Sequence, residues 1–361
     1  MNIDASVEII LQKPLEGKQL TLTEIETLLS IRDTHLLERL FWTAREIREQ
    51  YFRNKVFLYG FVYFSTYCRN NCSFCFYRCS NPESVRYRKS DEEIIELSSS
   101  LQDSGVHVID LTMGEDPIIH NGGRYRRLID IVQMVNDNVD IPIMLSPGAI
   151  PHNIFNKLRE AGADWFACYQ ETHNRNLFKR LRPNQDYDFR LSQKMWAMES
   201  GLLAEEGIMV GVGECLHDRA RSIELMKNLQ VDQIRAMSFV PQNNTPMAHD
   251  TPSLFIDELV TLAVMRLVHP DKLIPASLDI EGINGLSSRL NAGANVVTSI
   301  IPPQQGLAGV AQHELDIDDG SRSVEQIENN LDDLGFSIAP LSDYVSLIQG
   351  WKDVKGNGAT L

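Results

Sequence analysis

Residues 56–75 read VFLYGFVYFSTYCRNNCSFC. The first part, Val56 to Cys68, is a run of β-branched and aromatic residues, the composition of a strand. The second part becomes a polar loop that carries Cys68, Cys72 and Cys75 in a C-x3-C-x2-C spacing, with Phe74 directly before the last cysteine. The cysteines therefore gather at a strand's carboxyl end, and their spacing lets three thiolates converge from one loop onto a metal centre. A structural zinc site wants four ligands, commonly two separated pairs, and the second pair is missing; Cys79 would have to supply the fourth thiolate of a zinc knuckle. Three cysteines around a cluster of four irons leave one iron open to bind and activate a ligand.

Upstream of this stretch, Leu22, Ile25, Leu28 and Leu29, then Leu36, Leu37, Leu40, Phe41, Ala44 and Ile47, recur at helical spacing and predict two opening helices. Downstream, SDEEIIELSSSLQDSG reads as a helix with Ser90 and Glu93 in capping-box positions and Gly105 as its stop. Strand-like and helix-like segments then alternate: VHVIDLTMGE, IPIMLS, DWFACYQE, GIMVGVG, QIRAMSFV, LIPASLD and ANVVTSI follow the first strand in turn. That makes eight strands separated by roughly 20 to 50 residues, each gap long enough for a crossover helix. The pattern predicts an α/β fold of the (βα)8 TIM barrel type, with a doubly wound open sheet as the alternative. No linker divides the 361 residues, so one domain is expected: helices over 1–54, the barrel over 55–301 and a decorating C-terminal segment over 302–361.

Composition narrows the partners. Apolar residues make up 43% and charged residues 23%, the balance of a soluble globular protein. The formal charge of -15, with Lys and Arg scattered, argues against nucleic acid and anionic membrane surfaces. No run of eighteen apolar residues and no basic, apolar leader is present, so a cytoplasmic protein acting on a small molecule is expected. Six cysteines are too few for a disulfide scaffold, and their clustering points to metal.

In a barrel, function gathers at the carboxyl ends of the strands. Polar clusters stand at those positions: TMGEDP after strand two, LSPGAIP after three, YQETHN after four, GVGEC after five, Arg235 on six and ASLDIEG on seven. Arg235 lies in an otherwise apolar strand, where a buried guanidinium needs a balancing anion. Ser277 and Asp279 are two apart and share a face, as do Asp110 and Thr112. These residues, with Ser146, read as a pocket with one cation and two acids, complementary to a diamino acid zwitterion. An internal bridge from Arg235 to an acid such as Asp279 is the structural alternative.

The cysteine spacing, the aromatic before its last member and its place after the first barrel strand resemble the radical S-adenosylmethionine superfamily. CSFCFYR, TMGEDP and QETHNRNLFKRLRP resemble its biotin synthase and hydrogenase-maturase branch. The resemblance covers roughly residues 50 to 310. It implies a four-iron four-sulfur (4Fe-4S) cluster on Cys68, Cys72 and Cys75, with S-adenosylmethionine on the open iron. It implies Phe76 and Tyr77 near the adenine, Gly114 and Glu115 along the methionyl amino group, and Glu171 and Arg190 at the methionyl or ribose end. It also implies a low-potential electron donor such as ferredoxin or flavodoxin.

Within the branch, biotin synthase has a sulfur-donating second cluster with a cysteine on strand two, where this sequence has Thr112. Cys168 and Cys215 are too few to rebuild it and read as small core residues, so sulfur insertion is disfavoured. What remains is a carbon-skeleton or bond-cleavage reaction begun by hydrogen abstraction. In it Arg235 would take an α-carboxylate, Asp279 with Ser277 an α-ammonium, and Asp110 a side-chain ammonium. A hydrogenase-maturation enzyme and a zinc-stabilised binding barrel are the competing readings.

Overall fold

The computed structural model describes residues 3–121, 125–301 and 322–358. Eight parallel strands carry the fold: β1 (Lys55–Ser65), β2 (Val108–Met113), β3 (Ile143–Ser146), β4 (Trp165–Ala167), β5 (Leu203–Val210), β6 (Gln233–Ser238), β7 (Pro275–Ser277) and β8 (Val296–Ile300). They pair in the order β6-β5-β4-β3-β2-β1-β8-β7, and the ring closes where Gln233 bridges Leu273. That closure lies at the amino-terminal end, through Ile234 N to Leu273 O (3.0 Å) and Leu273 N to Asp232 O (3.2 Å). Further up, no ladder joins β6 to β7. A buried polar network stands there instead: Ser238 donates to Glu258, and Arg289 pairs with both Glu258 and Glu281, each at 2.5 Å.

Local chemistry sets the element boundaries as the sequence predicts. Ser90 and Glu93 form a reciprocal capping box on the helix Asp91–Ser104, and Gly105 ends it at φ 91. The predicted pair of opening helices is a set of three, Ile3–Leu15, Leu22–Leu29 and Thr34–Phe52. The second and third pack against the helix Phe255–Val268, which is buried from Glu258 to Val268 because it is covered on both sides.

The C-terminal segment does more than decorate; its residues 302–321 and 359–361 lie outside the described residues. A short strand β9 (Ser337–Ile338) joins the foot of β1 at Lys55 and Val56, and the helix Leu341–Gly358 stoppers the barrel's amino-terminal mouth. Tyr344 is fully buried among Phe57, Tyr59 and His107, with its hydroxyl 2.8 Å from that of Tyr59. Trp351 meets Trp165 edge-on, and Lys352 reaches Asp164 at 2.5 Å. With the foot filled, the polar clusters stand at the opposite mouth, toward the carboxyl ends of the strands.

Candidate active site

The cysteine loop leaves β1 and is tied down by the end of β2. Arg69 N donates to Glu115 O (2.9 Å) and Arg69 Nε to Glu115 Oε2 (2.9 Å). Asp116, buried, accepts from Ser65 Oγ (2.6 Å) and from Arg88 in a two-pronged pair. Gly114 is required by close approach: a Cβ there would collide with the Tyr67 carbonyl and stand 2.9 Å from Cys68 Cβ.

Cys68 and Cys72 lie close enough to Cys75 to oppose its ionisation. Burial first, and then Cys72 and Cys68, push the Cys75 thiol up; burial pushes Cys68 up to about 11. Around them stand donors: Arg182 Nη1 at 3.3 Å and Gln185 Nε2 at 3.1 Å from Cys72 Sγ, and Asn70 N at 3.5 Å from Cys68 Sγ. Burial works against the Arg182 charge, but Cys72 and Glu171 more than offset it and raise its pKa. One buried and two half-buried thiols with N–H donors beside them suit thiolates that a cationic centre ionises, so the set fits an iron-sulfur cluster. Cys79 is exposed and stands outside it. Among the described residues no three His, Cys, Asp or Glu side chains are gathered as ligands of a single ion.

Beside this loop lies a cavity of about 190 Å³, lined by Asp110, Thr112, Ser146, Arg235, Ser277 and Asp279 together with Glu171 and Phe74. All six residues assigned to the substrate from sequence thus face one chamber. They meet because Thr112 pairs with Ser146 across β2 and β3, Arg235 stands mid-way along β6, and Ser277 ends β7. Ser277 Oγ donates to Asp279 Oδ2 (2.9 Å) and meets Ser299 Oγ at 3.2 Å. Ser299 (φ 70) and Glu171 (φ 67) hold left-handed backbone that non-glycine residues seldom adopt, strain that clusters where geometry serves function.

The structural alternative, a bridge from Arg235 to an internal acid, is present, but the acid is Glu205, which the sequence reading did not name, and not Asp279. Arg235 Nε pairs with Glu205 Oε1 at 2.8 Å and its Nη1 donates to Thr298 Oγ1 (3.2 Å), while Tyr169 caps Glu205 Oε2 at 2.9 Å. Asp279 instead meets Arg322, at 3.4 Å. Among the described residues Arg235 Nη2 and Asp110 Oδ1 remain buried with no hydrogen-bond partner. A buried donor of a cation and a buried acceptor of an acid, each unsatisfied within one cavity, suit a ligand that carries both an anion and a hydrogen-bond donor.

Burial first, and Glu205 second, push the Asp110 carboxyl up from 3.8 to about 7. Because the folded value lies above the ordinary one, its contribution to stability is complete below the ordinary value and is lost as pH rises through about 7. Asp110→Asn is therefore expected to flatten the decline in stability between about pH 4 and pH 7, measured as urea midpoints across that range. Affinity for a ligand ammonium should rise over the same interval in the parent protein and lose that dependence in the variant.

The residues assigned to the cofactor divide between places. Glu171 lines the substrate cavity and pairs with Arg182. Glu115 and Arg190 line a neighbouring cavity of about 340 Å³, where Arg190 Nη1 is 3.6 Å from Glu115 Oε1 and Arg190 Nε donates to Tyr169 O (2.7 Å). Tyr77 is buried against Tyr63 and Phe76, ring centroids 5.6 and 5.7 Å apart. The His173 side chain is buried, 3.8 Å from Glu206. Burial works to raise the Glu206 carboxyl, but Lys194 (2.5 Å) and then His173 overcome it and hold it near about 2. Glu206 Oε1 accepts from Gln170 N and Gly207 N, which fastens the turn that presents Glu171. Cys168 is buried as expected; Cys215 is exposed at the start of a helix.

A parallel barrel with a three-cysteine loop on its first strand and a charged chamber beside it is the architecture of a radical S-adenosylmethionine enzyme, and the Radical SAM superfamily model matches residues 62–226. The chain belongs to that superfamily and, within it, to the 3-methylornithine synthase family. It is 42% identical to 3-methylornithine synthase of Methanosarcina acetivorans over 94% of this chain and 96% of that one. A crystal structure of methylornithine synthase superimposes with a TM-score of 0.89, at 42% identity, covering 94% of this chain and 99% of that one. The FeFe-hydrogenase maturase subunit HydE of Thermotoga maritima is more distant, 33% identical over 80% of this chain and 82% of its own. The cofactors are accordingly a 4Fe-4S cluster and S-adenosylmethionine. Among the described residues no helix is long and apolar enough to cross a membrane.

Proposed function

We propose that the protein isomerises L-lysine to (2R,3R)-3-methyl-D-ornithine, the reaction that opens pyrrolysine biosynthesis. The observation that carries this reading is the chamber itself, with Arg235 Nη2 and Asp110 Oδ1 unpartnered in a chain akin to methylornithine synthases along nearly its whole length. Cys68, Cys72 and Cys75 would hold the cluster, and Phe76, Tyr77, Gly114, Glu115, Glu171 and Arg190 are the candidate contacts of S-adenosylmethionine. When bound, these cofactors supply a 5'-deoxyadenosyl radical able to take a hydrogen atom from an unactivated carbon and return it.

The chain's own residues bind, align and exclude water. Arg235 would hold the α-carboxylate through its free nitrogen, Asp279 and Ser277 the α-ammonium, and Asp110, hydrogen-bonded to Ser146, the side-chain ammonium; Thr112 completes the wall. The product's skeleton follows from loss of hydrogen at C4, cleavage of C2–C3, joining of C2 to C4 and return of hydrogen to the former C3, which becomes the methyl group. Between cleavage and joining two fragments must stay aligned. A small chamber that anchors a charge at each end keeps both from diffusing. Hydrogen atoms move throughout, so no side chain need act as a general base. A ferredoxin or flavodoxin would reduce the cluster, and a reducing cytoplasm suits its thiolates.

Lysine carrying ¹³C at C3, incubated anaerobically with S-adenosylmethionine and dithionite, is expected to give methylornithine labelled in its methyl group. An iron-replete protein that cleaves S-adenosylmethionine yet yields no methylornithine would overturn the reading.

A further inference from the structure

Seven of the eight junctions around the barrel are ladders: β1 with β2 and β8, β2 with β3, β3 with β4, β4 with β5, β5 with β6 and β7 with β8. The eighth, between β6 and β7, is among the described residues a single bridge at the foot, Gln233 to Leu273. Ser238 ends β6 five residues above that bridge, about 16 Å at the ordinary rise of a strand. Three residues beside this gap, Ser238, Glu258 and Arg289, line the substrate cavity. Ser238 Oγ donates to Glu258 Oε2 (2.5 Å), and Arg289 grips Glu258 through Nε (2.5 Å) and Nη2 (3.1 Å). The same Nη2 reaches Glu281 Oε2 (2.5 Å).

The network ties four elements together: the end of β6, the helix Phe255–Val268 that carries Glu258, the residues after β7 that carry Glu281, and the helix Leu286–Asn291 that carries Arg289. Glu258 and Arg289 are 2% and 1% exposed, and taking two charges out of water is costly unless their hydrogen bonds are well formed. Space is reserved for them as well. Gly285 has φ -84, which any residue adopts, yet a Cβ there would stand 2.2 Å from Arg289 Nη1 and 2.9 Å from Glu281 Cβ. The network requires this glycine; the backbone does not. The two strands that lack a ladder also carry the proposed anchors of the amino-acid head: Arg235 on β6 for the carboxylate, and Ser277 at the end of β7, with Asp279 just beyond it, for the α-ammonium. Both charged groups sit on one carbon of the ligand, so the spacing of β6 and β7 decides whether the two anchors engage together.

We propose that Glu258 and Arg289, with Ser238 and Glu281, are positioning residues that set the spacing of β6 and β7 and thereby hold the fragment containing C1 and C2 of lysine until it rejoins the other. The inference rests on the lysine reading above. After C2–C3 cleavage that fragment, a glycyl radical, keeps both charges of the amino-acid head, while its partner, but-3-enylamine, is a closed-shell amine. If the head anchors part, the fragments separate. The glycyl radical then takes one electron from the reductant and one proton from water and leaves as glycine. The amine leaves intact, and the hydrogen removed from C4 stays on 5'-deoxyadenosine. Glycine, but-3-enylamine and 5'-deoxyadenosine are thus formed in equal amounts, for two electrons: one splits S-adenosylmethionine and one reduces the glycyl radical.

The test is the ratio of glycine to methylornithine formed from ¹³C-labelled lysine by the cluster-loaded protein with S-adenosylmethionine and dithionite. Ser238→Ala, Gly285→Ala and the charge-balanced pair Glu258→Gln with Arg289→Met should each raise that ratio by about tenfold or more over the parent, with but-3-enylamine rising in step. Ile131→Ala, a buried truncation on the outer helix Arg126–Asn136, removes stability without touching the seam and should keep the parent ratio. Hydrogen exchange needs no substrate: the amides of residues 235–238 and 276–279 should exchange about tenfold faster in the seam variants than in the parent, and those of β2 and β3 should not. A parent-like ratio in all three seam variants, or a ratio raised equally by Ile131→Ala, overturns the proposal, as does unchanged exchange at the seam. A parent protein that forms no methylornithine would instead count against the lysine reading, and the exchange result would still decide whether the network holds the seam.

Discussion

Cys72→Ala is expected to yield a folded barrel with little iron and no measurable isomerase activity, whereas Cys79→Ala keeps about four irons per chain and full turnover. The asymmetry follows from surroundings more than from sequence spacing. Cys72 is buried and receives two side-chain donors, Arg182 and Gln185, both presented from the segment after the helix Arg175–Leu181. Those donors are arranged for a sulfur that carries negative charge, which a protonated thiol or a methyl group does not. Cys79 is exposed, and its backbone N–H is spent on Asn70 O (2.8 Å), which fixes its strand of the loop with no partner required of its sulfur. Iron determination and the visible spectrum of anaerobically prepared variants distinguish the two cases. A Cys79→Ala protein that lost its cluster would mean a fourth thiolate occupies the open iron, and the substrate chemistry proposed above could not proceed. Circular dichroism should show both variants folded, since the two larger core clusters of the barrel contain no residue of this loop.

The parts of this site that were legible in sequence share a physical basis. Alternation along a strand puts Ser277 and Asp279, or Asp110 and Thr112, on one face, and the barrel's polarity puts those faces at one mouth; both rules act locally and need no knowledge of partners. Glu205 escaped because strand five was read from Gly207, whereas β5 begins at Leu203. Two adjacent acids in LLAEEG look like a solvated turn, yet they point to opposite sides of a buried strand, Glu205 inward to Arg235 and Glu206 outward to Lys194. Each acid finds a cation from a distant element, and pairing across that separation leaves no local pattern. The same holds for Arg182 and Gln185 on Cys72, for Arg322 beside Asp279, and for the helix Leu341–Gly358, whose role as a stopper depends on Tyr344 meeting Tyr59 nearly three hundred residues earlier in the chain.

Arg235→Met is expected to cost about 3–5 kcal/mol of stability and to abolish lysine turnover, and the two losses should be separable. Arg235 and Glu205 are both buried, and among the described residues the carboxylate is further held only by the Tyr169 hydroxyl. Removing the guanidinium strands an anion in the barrel's centre, an uncompensated buried charge whose desolvation nothing then offsets. A second change, Glu205→Gln, removes that charge while leaving an acceptor for Tyr169, so the double variant should recover most of the lost stability in urea melts. It should not recover activity, because the free Nη2 that would meet the substrate carboxylate is gone in both variants. Losing one charged partner of a buried carboxylate commonly costs about 2–5 kcal/mol of binding, here a weakening of lysine affinity by roughly 30-fold to several thousandfold. If the double variant regained turnover along with stability, Arg235 would be a structural bridge alone and the carboxylate anchor would have to be sought elsewhere in the chamber. Arg322, the other cation beside Asp279, would be the first residue to replace.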